Sequence, residues 1–321
     1  MPAVSAYAPG KTILCGEHAV VYGQPAIAIP VTQVQAKAIV MANPRGSANQ
    51  IRITAPDIQF DDYLENLPEN HPIKQLLLKL QNLLQLSHFP AFNLKIHSTI
   101  PIASGMGSGA AVSVAIVRAV STFLGYPMSN EQVSSLAFEA EKSYHGTPSG
   151  IDNTVITYAR PIFFIRGQPF ETLHVRQPLI FLIANSGIKS ETATVVGEVR
   201  QAWQNDPNRY EALFHAIGTL TIQIRRRLER GPTEEIGSFL TANHQLLQEL
   251  GVSCPELDEL VNAALSAGAQ GAKLTGAGRG GNILALVTED TIAPISSALR
   301  AAGATNLYLT NLMPATNETE E

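Results

Sequence analysis

Between Phe92 and Ser98, apolar Phe92, Leu94 and Ile96 alternate with polar Asn93, Lys95 and His97, the period of a half-buried strand. The period then changes. From Ala110 to Leu124 the apolar positions Val112, Ala115, Ile116, Ala119, Val120 and Phe123 have the spacing of one helix face. The same two periods divide the rest of the chain. Strands are predicted over 3–8, ending at Pro9-Gly10, over 26–31, 35–41 and 51–53, over 154–158, 161–165, 173–175 and 178–184, and over 272–275, 282–287 and 305–309. Helices are predicted over 73–86, where a leucine stripe marks a packing face, and from Ser129, whose spacing to Gln132 is that of a capping box, to about Tyr144 with Gly146 as the stop. Further helices are predicted up to about Trp203, after a polar loop over 188–194, and over 210–230, 233–250, 256–267 and 292–301. Residues 61–70 are acidic and broken by proline, an exposed loop.

Between the strand at 92–98 and the helix at 110–124 lies Pro101-Ile102-Ala103-Ser104-Gly105-Met106-Gly107-Ser108-Gly109-Ala110-Ala111. A turn that feeds a helix N-terminus presents N–H groups without intrahelical partners, and the helix dipole adds partial positive charge. Glycine at three alternate positions lets a bulky anion reach those groups, which points to a nucleotide phosphate. The dinucleotide-binding pattern fails here, because a second helix signal follows where a strand with an acidic residue is needed. The P-loop pattern fails too, for want of a Lys-Ser or Lys-Thr pair after the last glycine. Taken alone, the segment also reads as a flexible Gly/Ser turn.

Composition narrows the class. With 321 residues, 45% hydrophobic and 15% charged, the chain can build one large domain or two ordinary ones around a substantial core. A net charge of −5 gives no general attraction to nucleic acid or anionic membranes, so affinity for phosphate must be local. There is no secretory leader pattern and no long uncharged apolar run, and Cys15 and Cys254 have no metal-like spacing. Reduced thiols in a cytoplasmic protein are expected.

Several titratable residues stand in unusual places. Lys11, Glu17 and His18 interrupt a largely apolar run; Lys11 reads either as a solvated turn lysine or as a cation aimed at an anion, and His18 as a buried histidine or a catalytic one. Glu139 and Glu141 fall near a helix C-terminus, where negative charge opposes the dipole, and Lys142 cannot face its neighbour Glu141. Asp152 follows Pro148-Ser149-Gly150, where it reads as a turn residue or as a rigidly mounted base. Five glycines from Gly271 to Gly281 form a second loop able to approach a ligand closely. Arg225-Arg226-Arg227 reads as a solvated helix face.

Three stretches taken together, Pro9-Gly10-Lys11 with Gly16-Glu17-His18-Ala19-Val20, residues 101–111, and Lys273-Leu274-Thr275-Gly276-Ala277-Gly278, resemble the motifs of the small-molecule kinase superfamily that includes galactokinase, homoserine kinase, mevalonate kinase and phosphomevalonate kinase. Gly16 to Gly23 and Glu141 to Asn153 are most similar to its mevalonate-phosphorylating branch. The resemblance implies an α+β chain with a two-domain fold of α/β layers, the active site in the interdomain cleft, divided as 1–176 and 177–313. By its own composition the tail over 314–321 is acidic and expected to be disordered. The resemblance also implies ATP- and Mg2+-dependent phosphorylation of the 5-hydroxyl of mevalonate, in isoprenoid biosynthesis; phosphomevalonate or homoserine as substrate, or a nucleotide-binding regulator without chemistry, are the rival readings. By the same resemblance Asp152 and Lys11 are catalytic, Glu141 and Ser108 hold the metal, and Ser98, Ala103, Ser104, Gly105, Met106, Gly107, Ser108 and Gly109 bind ATP. Glu17, His18, Thr275, Gly276 and Ala277 lie toward the substrate, with His18 a partner for its carboxylate or hydroxyl. The superfamily's partner is a small molecule, with neither nucleic acid nor membrane, and a homodimer is compatible with it. Two departures stand out: Gly109 replaces a serine that helps hold Mg2+, and Arg279 replaces a glycine, pointing either to solvent or to an anionic group of a ligand.

Overall fold

The computed structural model describes residues 3–101, 104–145 and 149–314, with the side chains of 143–145 left undescribed. In chain order the strands are β1 (Ala3–Cys15), β2 (Ala26–Ala42), β3 (Ile51–Ala55), β4 (Phe60–Tyr63), β5 (Phe92–Ser98), β6 (Ile162–Phe164), β7 (Glu171–Thr172), β8 (Leu179–Asn185), β9 (Gly271–Thr275), β10 (Asn282–Val287) and β11 (Asn306–Leu312). The α-helices are α1 (Pro72–Leu83), α2 (Ser108–Phe123), α3 (Asn130–His145), α4 (Ile151–Tyr158), α5 (Thr192–Asn205), α6 (Pro207–Arg230), α7 (Ile236–Glu249), α8 (Pro255–Ser266) and α9 (Ile292–Ala301). Among the described residues, no helix is long and apolar enough to cross a membrane.

The chain forms two compact units that are interleaved in sequence. Of the described residues, one unit takes 3–11, 34–101, 107–145 and 149–159, and the other takes 12–33, 104–106 and 160–314. In the first unit the strand order is β4-β3-β5-β2, with β3 parallel to β5 and the other pairs antiparallel. Helix α2 is buried on most of its circumference, including Ala111, Val114, Ile116 and Val120, as a helix enclosed by neighbours must be. It packs against α1, α3, α4 and β5. The capping box at the start of α3 forms as expected: Gln132 N donates to Ser129 Oγ at 3.3 Å, and Ser129 N to Gln132 Oε1 at 3.0 Å.

In the second unit the sheet order is β11-β8-β10-β9, antiparallel throughout. Its core joins this sheet to α5–α9 through Leu182, Phe214, Leu247, Leu260, Leu274 and Ile283, all at most 3% exposed. The 3-10 turn Ala19–Tyr22 is anchored to the same core, because the Tyr22 ring stacks on Phe214 at 4.0 Å and Trp203 meets it edge-on at 5.2 Å. Arg225 and Arg227 are not simply solvated: Arg225 pairs with Glu171 and Glu229, and Arg227 with Glu235.

Five predicted elements differ, one of them the strand expected over 173–175, which is irregular, with the short strand β7 just before it at Glu171–Thr172. The strand expected over 154–158 is the body of helix α4; Val155 and Ile156 favour strands, but a left-handed Gly150 and tertiary contacts with α2 and α3 decide for helix. Strand β1 runs through Pro9-Gly10 to Cys15, because it pairs with β2 only, and an end strand tolerates a missing N–H. Likewise β2 is one continuous strand whose residues 26–28 pair with β6 and 36–42 with β5; the polar stretch Thr32-Gln33 had looked like a break. Strand β4, within the segment expected to be a loop, pairs with β3. Of the expected acidic tail, residues 315–321 lie outside the described residues.

Helix α7 meets β9 backbone to backbone. A Cβ at Gly237 would lie 2.1 Å from the Gln270 carbonyl oxygen, and one at Gly271 would lie 1.9 Å from that of Gly237. Replacing a helical glycine by alanine ordinarily gains ~0.5–1 kcal/mol, but here overpacking, worth ~1–3 kcal/mol, should win. Gly237→Ala should therefore lower the urea midpoint of unfolding, checked by circular dichroism; an unchanged or raised midpoint would contradict the contact.

Candidate active site

In the first unit, Lys11 Nζ lies 2.9 Å from Asp152 Oδ2. Lys11 is 5% exposed, and strand β1 delivers it to this pair. Asp152 is the second residue of α4, where the unpaired N–H groups and the dipole favour an anion. The geometry is fixed from behind: Asn153 Nδ2 donates to Ser134 Oγ at 2.8 Å, tying α4 to α3, and Thr154 Oγ1 donates to the Gly150 carbonyl at 2.7 Å. Ser149 Oγ accepts from Ile151 N at 3.3 Å. The role left open at Asp152, turn residue or mounted base, resolves into a carboxylate at a helix start, held against a buried cation.

Helix α3 brings Glu141 into the same group. It is 7% exposed, and burial together with the negative charge of Asp152 pushes its carboxyl up to about 8, opposed by Lys11. Lys142 pairs instead with Glu139, one turn earlier, at 2.5 Å. Two carboxylates thus face one lysine. That donor set, hard oxygen atoms with negative charge in excess, suits Mg2+.

Gly107, with φ 75°, ends the glycine turn as the N-cap of α2. A Cβ there would lie 2.7 Å from Ile156 Cδ1 and 3.0 Å from Lys11 Cγ, so glycine serves both the left-handed backbone and the passage of the lysine stem. Ser108 is the first residue of α2 and half-buried, while Gly109 faces open space. Ser98 is tied into its own turn: its N donates to Asp57 Oδ2 at 2.8 Å, and its Oγ accepts from Ile100 N at 3.2 Å. Ala103 lies outside the described residues.

In the second unit, the Ser104 carbonyl accepts from Asn282 Nδ2 at 2.5 Å; Gly105 is left-handed, with φ 76°, and exposed, and Met106 is buried. The Glu17-His18 turn follows Gly16, where a Cβ would lie 2.5 Å from Ala26 Cα. Neither side chain is solvated. Glu17 is 3% exposed, with Oε1 paired to Lys273 Nζ and Oε2 accepting from Asn243 Nδ2 at 3.2 Å. His18 has φ 59°, an uncommon conformation for a residue with a Cβ, and its Nε2 lies 2.9 Å from the Ala277 carbonyl oxygen. A carbonyl can only accept, so Nε2 carries the proton and Nδ1 is left as an acceptor. Burial, aided by the charge of Arg279, pushes the imidazole down to about 4 against the opposing effect of that hydrogen bond. A neutral ring suits a hydroxyl partner better than a carboxylate.

Thr275 Oγ1 donates to the Ile13 carbonyl at 2.9 Å, accepts from Ile13 N at 3.2 Å and lies 2.9 Å from Thr12 Oγ1. Ala277 serves His18 through its carbonyl, and Gly276 is left-handed with open space about it. Arg279 is exposed, and its guanidinium pairs with Glu198 and donates to the Gly251 carbonyl at 3.2 Å.

Sequence reasoning missed Lys273 and Asn243, although a signal existed for both. Lys273 is a lone charge in a strand buried at every position, and Asn243 sits on the stripe of α7 formed by Ile236, Leu240 and Leu247.

Two measurements check this geometry. Because the His18 pKa is below its unfolded value, the unfolded state binds more protons between about pH 4 and 6.5. The stability this residue contributes should be complete above about pH 6.5 and fall by roughly 3 kcal/mol as pH drops to about 4. His18→Gln should flatten that slope in urea titrations, and an unaltered slope would contradict the assignment. Separately, Gly109→Ser should fold without loss of stability, and calorimetry should find Mg·ATP bound at least as tightly as by wild type; a destabilised protein would show that the space is not open.

The GHMP kinases N terminal domain model matches residues 71–160, and the GHMP kinases C terminal model matches 224–305. The chain is 35% identical to the mevalonate kinase of Thermococcus gammatolerans over 94% of each chain. In structure it is similar to L. major mevalonate kinase solved with R-mevalonate, with a TM-score of 0.83, 30% identity and coverage of 97% of this chain and 96% of that one. The Methanococcus jannaschii mevalonate kinase, at 24% identity, TM-score 0.84 and coverage of 98% and 99%, supports the fold alone. With a mixed α+β fold in two units, Lys11 paired to Asp152 beside Glu141, and both terminal models matched in order, this chain belongs to the GHMP kinase family.

Proposed function

We propose that this protein is a mevalonate kinase, transferring the γ-phosphoryl group of ATP to the 5-hydroxyl of mevalonate. The pair of buried Lys11 with half-buried Asp152, beside buried Glu141, carries the reading of the reaction. The substrate's name rests on relatives, among them the L. major enzyme solved with R-mevalonate.

Phosphoryl transfer of this kind has a loose, charge-spread transition state, so positioning and electrostatics supply most of the catalysis. In the proposed reaction Asp152 accepts the hydroxyl proton as the alcohol oxygen bonds to the γ-phosphorus and the bond to the ADP oxygen breaks. Lys11 holds Asp152 in orientation and offsets the negative charge that develops on the alcohol and the phosphoryl oxygens. Both residues are held by packing, so little reorganisation is needed when charge develops. Backbone N–H groups over residues 105–109 receive the phosphates, and His18 takes a polar group at the acid end of the substrate. Glu141 and Ser108 would hold Mg2+, with water in place of the serine absent at Gly109; when bound, the ion offsets phosphate charge. A bound cation would favour the ionised form of Glu141.

A coupled assay for ADP release should show turnover with mevalonate and little with phosphomevalonate, homoserine or galactose. Asp152→Asn and Lys11→Met should each lower kcat by at least about 100-fold while calorimetry still detects ATP binding. ATP binding without product from any of these alcohols in the wild-type protein would favour a nucleotide-binding regulator, the reading to which Gly109 lends some support.

A further inference from the structure

Behind the Glu17-His18 turn lies a fully enclosed charged network. Lys273 is 0% exposed and sits in the middle of β9, between Ala272 and Leu274. Its Nζ pairs with Glu17 Oε1 and also donates to the carbonyl of its neighbour Leu274 at 2.6 Å. Asn243, from α7 and also 0% exposed, holds the other carboxylate oxygen at 3.2 Å. Thus β9 and α7 together grip the residue that precedes His18. A buried ion pair seldom adds net stability over a well-packed apolar equivalent, so its presence calls for another reason.

The reason is visible one residue on. His18 has φ 59° and ψ −50°, a sparsely populated positive-φ backbone for a residue with a Cβ, and its ring nitrogen lies 2.9 Å from the Ala277 carbonyl oxygen. A conformation of that kind persists only when its surroundings over-determine it. From the front, Ala277 holds the ring; from behind, Glu17 is fixed at both carboxylate oxygens. Lys273 and Ala277 lie four residues apart on one segment, β9 and the glycine loop that continues it, so the same stretch of chain clamps the turn on both sides. An apolar pair would fill the volume but would not fix direction, since only the charge-assisted bonds specify where the Glu17 carboxylate points.

We propose that Lys273 is a positioning residue for substrate: through Glu17 it sets the orientation of the His18 turn, and thereby the affinity for the acid substrate, without touching substrate itself. The proposal rests on the assignment of His18 to the substrate made above. Its signature is a split between kinetic constants. Lys11, Asp152 and Glu141 are not part of this network, so phosphoryl transfer from saturating substrate should be spared.

The test compares Lys273→Met, Lys273→Arg and the double variant Glu17→Gln/Lys273→Met with wild type, in the ADP-release assay with mevalonate. The single methionine variant strands a buried carboxylate and can fail to fold; the double variant removes both charges at nearly constant volume and keeps the experiment decisive. Expected for the double variant is a KM for mevalonate raised about 10-fold or more, as small misplacements produce, with kcat and the KM for ATP close to wild type and an unchanged melting temperature. Lys273→Arg, which keeps a donor for Glu17, should recover part of that loss. A double variant with wild-type KM for mevalonate would overturn the proposal, as would a parallel fall of every kinetic constant with the melting temperature. Wild-type protein that does not phosphorylate mevalonate would instead refute the function proposed above, so the two failures are distinguishable.

Discussion

A lysine ammonium and an aspartate carboxylate, 2.9 Å apart and largely withdrawn from water, are the constraint on which the surrounding unit depends. Neither group is cheap to bury alone, because an unpaired charge in a low-dielectric interior loses its hydration. Each element nearby answers that cost. Strand β1 continues past Pro9-Gly10 to deliver Lys11; α4 begins so that its N-terminus faces Asp152; Gly107 gives up a side chain so that the lysine stem can pass. Glu141 adds a second carboxylate, whose pKa burial raises first and the charge of Asp152 second, with Lys11 opposing.

The second unit solves a different problem with similar means. The charged pair Glu17–Lys273 is sealed in completely, and Asn243 meets the remaining carboxylate oxygen. Here the network faces inward, and its neighbour is a neutral histidine whose tautomer is set by a backbone carbonyl. Backbone-to-backbone contact of Gly237 with Gly271 keeps α7 close enough to β9 for Asn243 and Lys273 to meet the same carboxylate. Arg279 holds its loop to α5 through Glu198.

Much of this was legible in the chain because the relevant signals are local. Periodicity located α1, α2, α3 and the run from α5 to α9, and the Ser129–Gln132 spacing announced a cap that forms. The carboxylate at Glu141 stood out because it broke a rule of helix electrostatics, and it lies beside Lys11 and Asp152. What was not legible depends on partners distant in sequence. Residues 154–158 have strand-forming side chains, yet α2 and α3 hold them in a helix; Pro9 looks like a break until β1 is known to pair on one side only. Thr275 looked free for a ligand, but its hydroxyl is engaged by Ile13 and Thr12, some 260 positions away. Lys273 could have been found as a charge in an apolar strand, and the glycines that follow drew attention away from it.

The central claim is that Asp152, held by Lys11, receives the proton of the alcohol being phosphorylated. A crystal structure with R-mevalonate and a non-hydrolysable ATP analogue tests it most directly. The account predicts the 5-hydroxyl within hydrogen-bond distance of an Asp152 carboxylate oxygen, with the Lys11 ammonium reaching the terminal phosphate. A 5-hydroxyl remote from Asp152, with the substrate carboxylate in its place against Lys11, would contradict it.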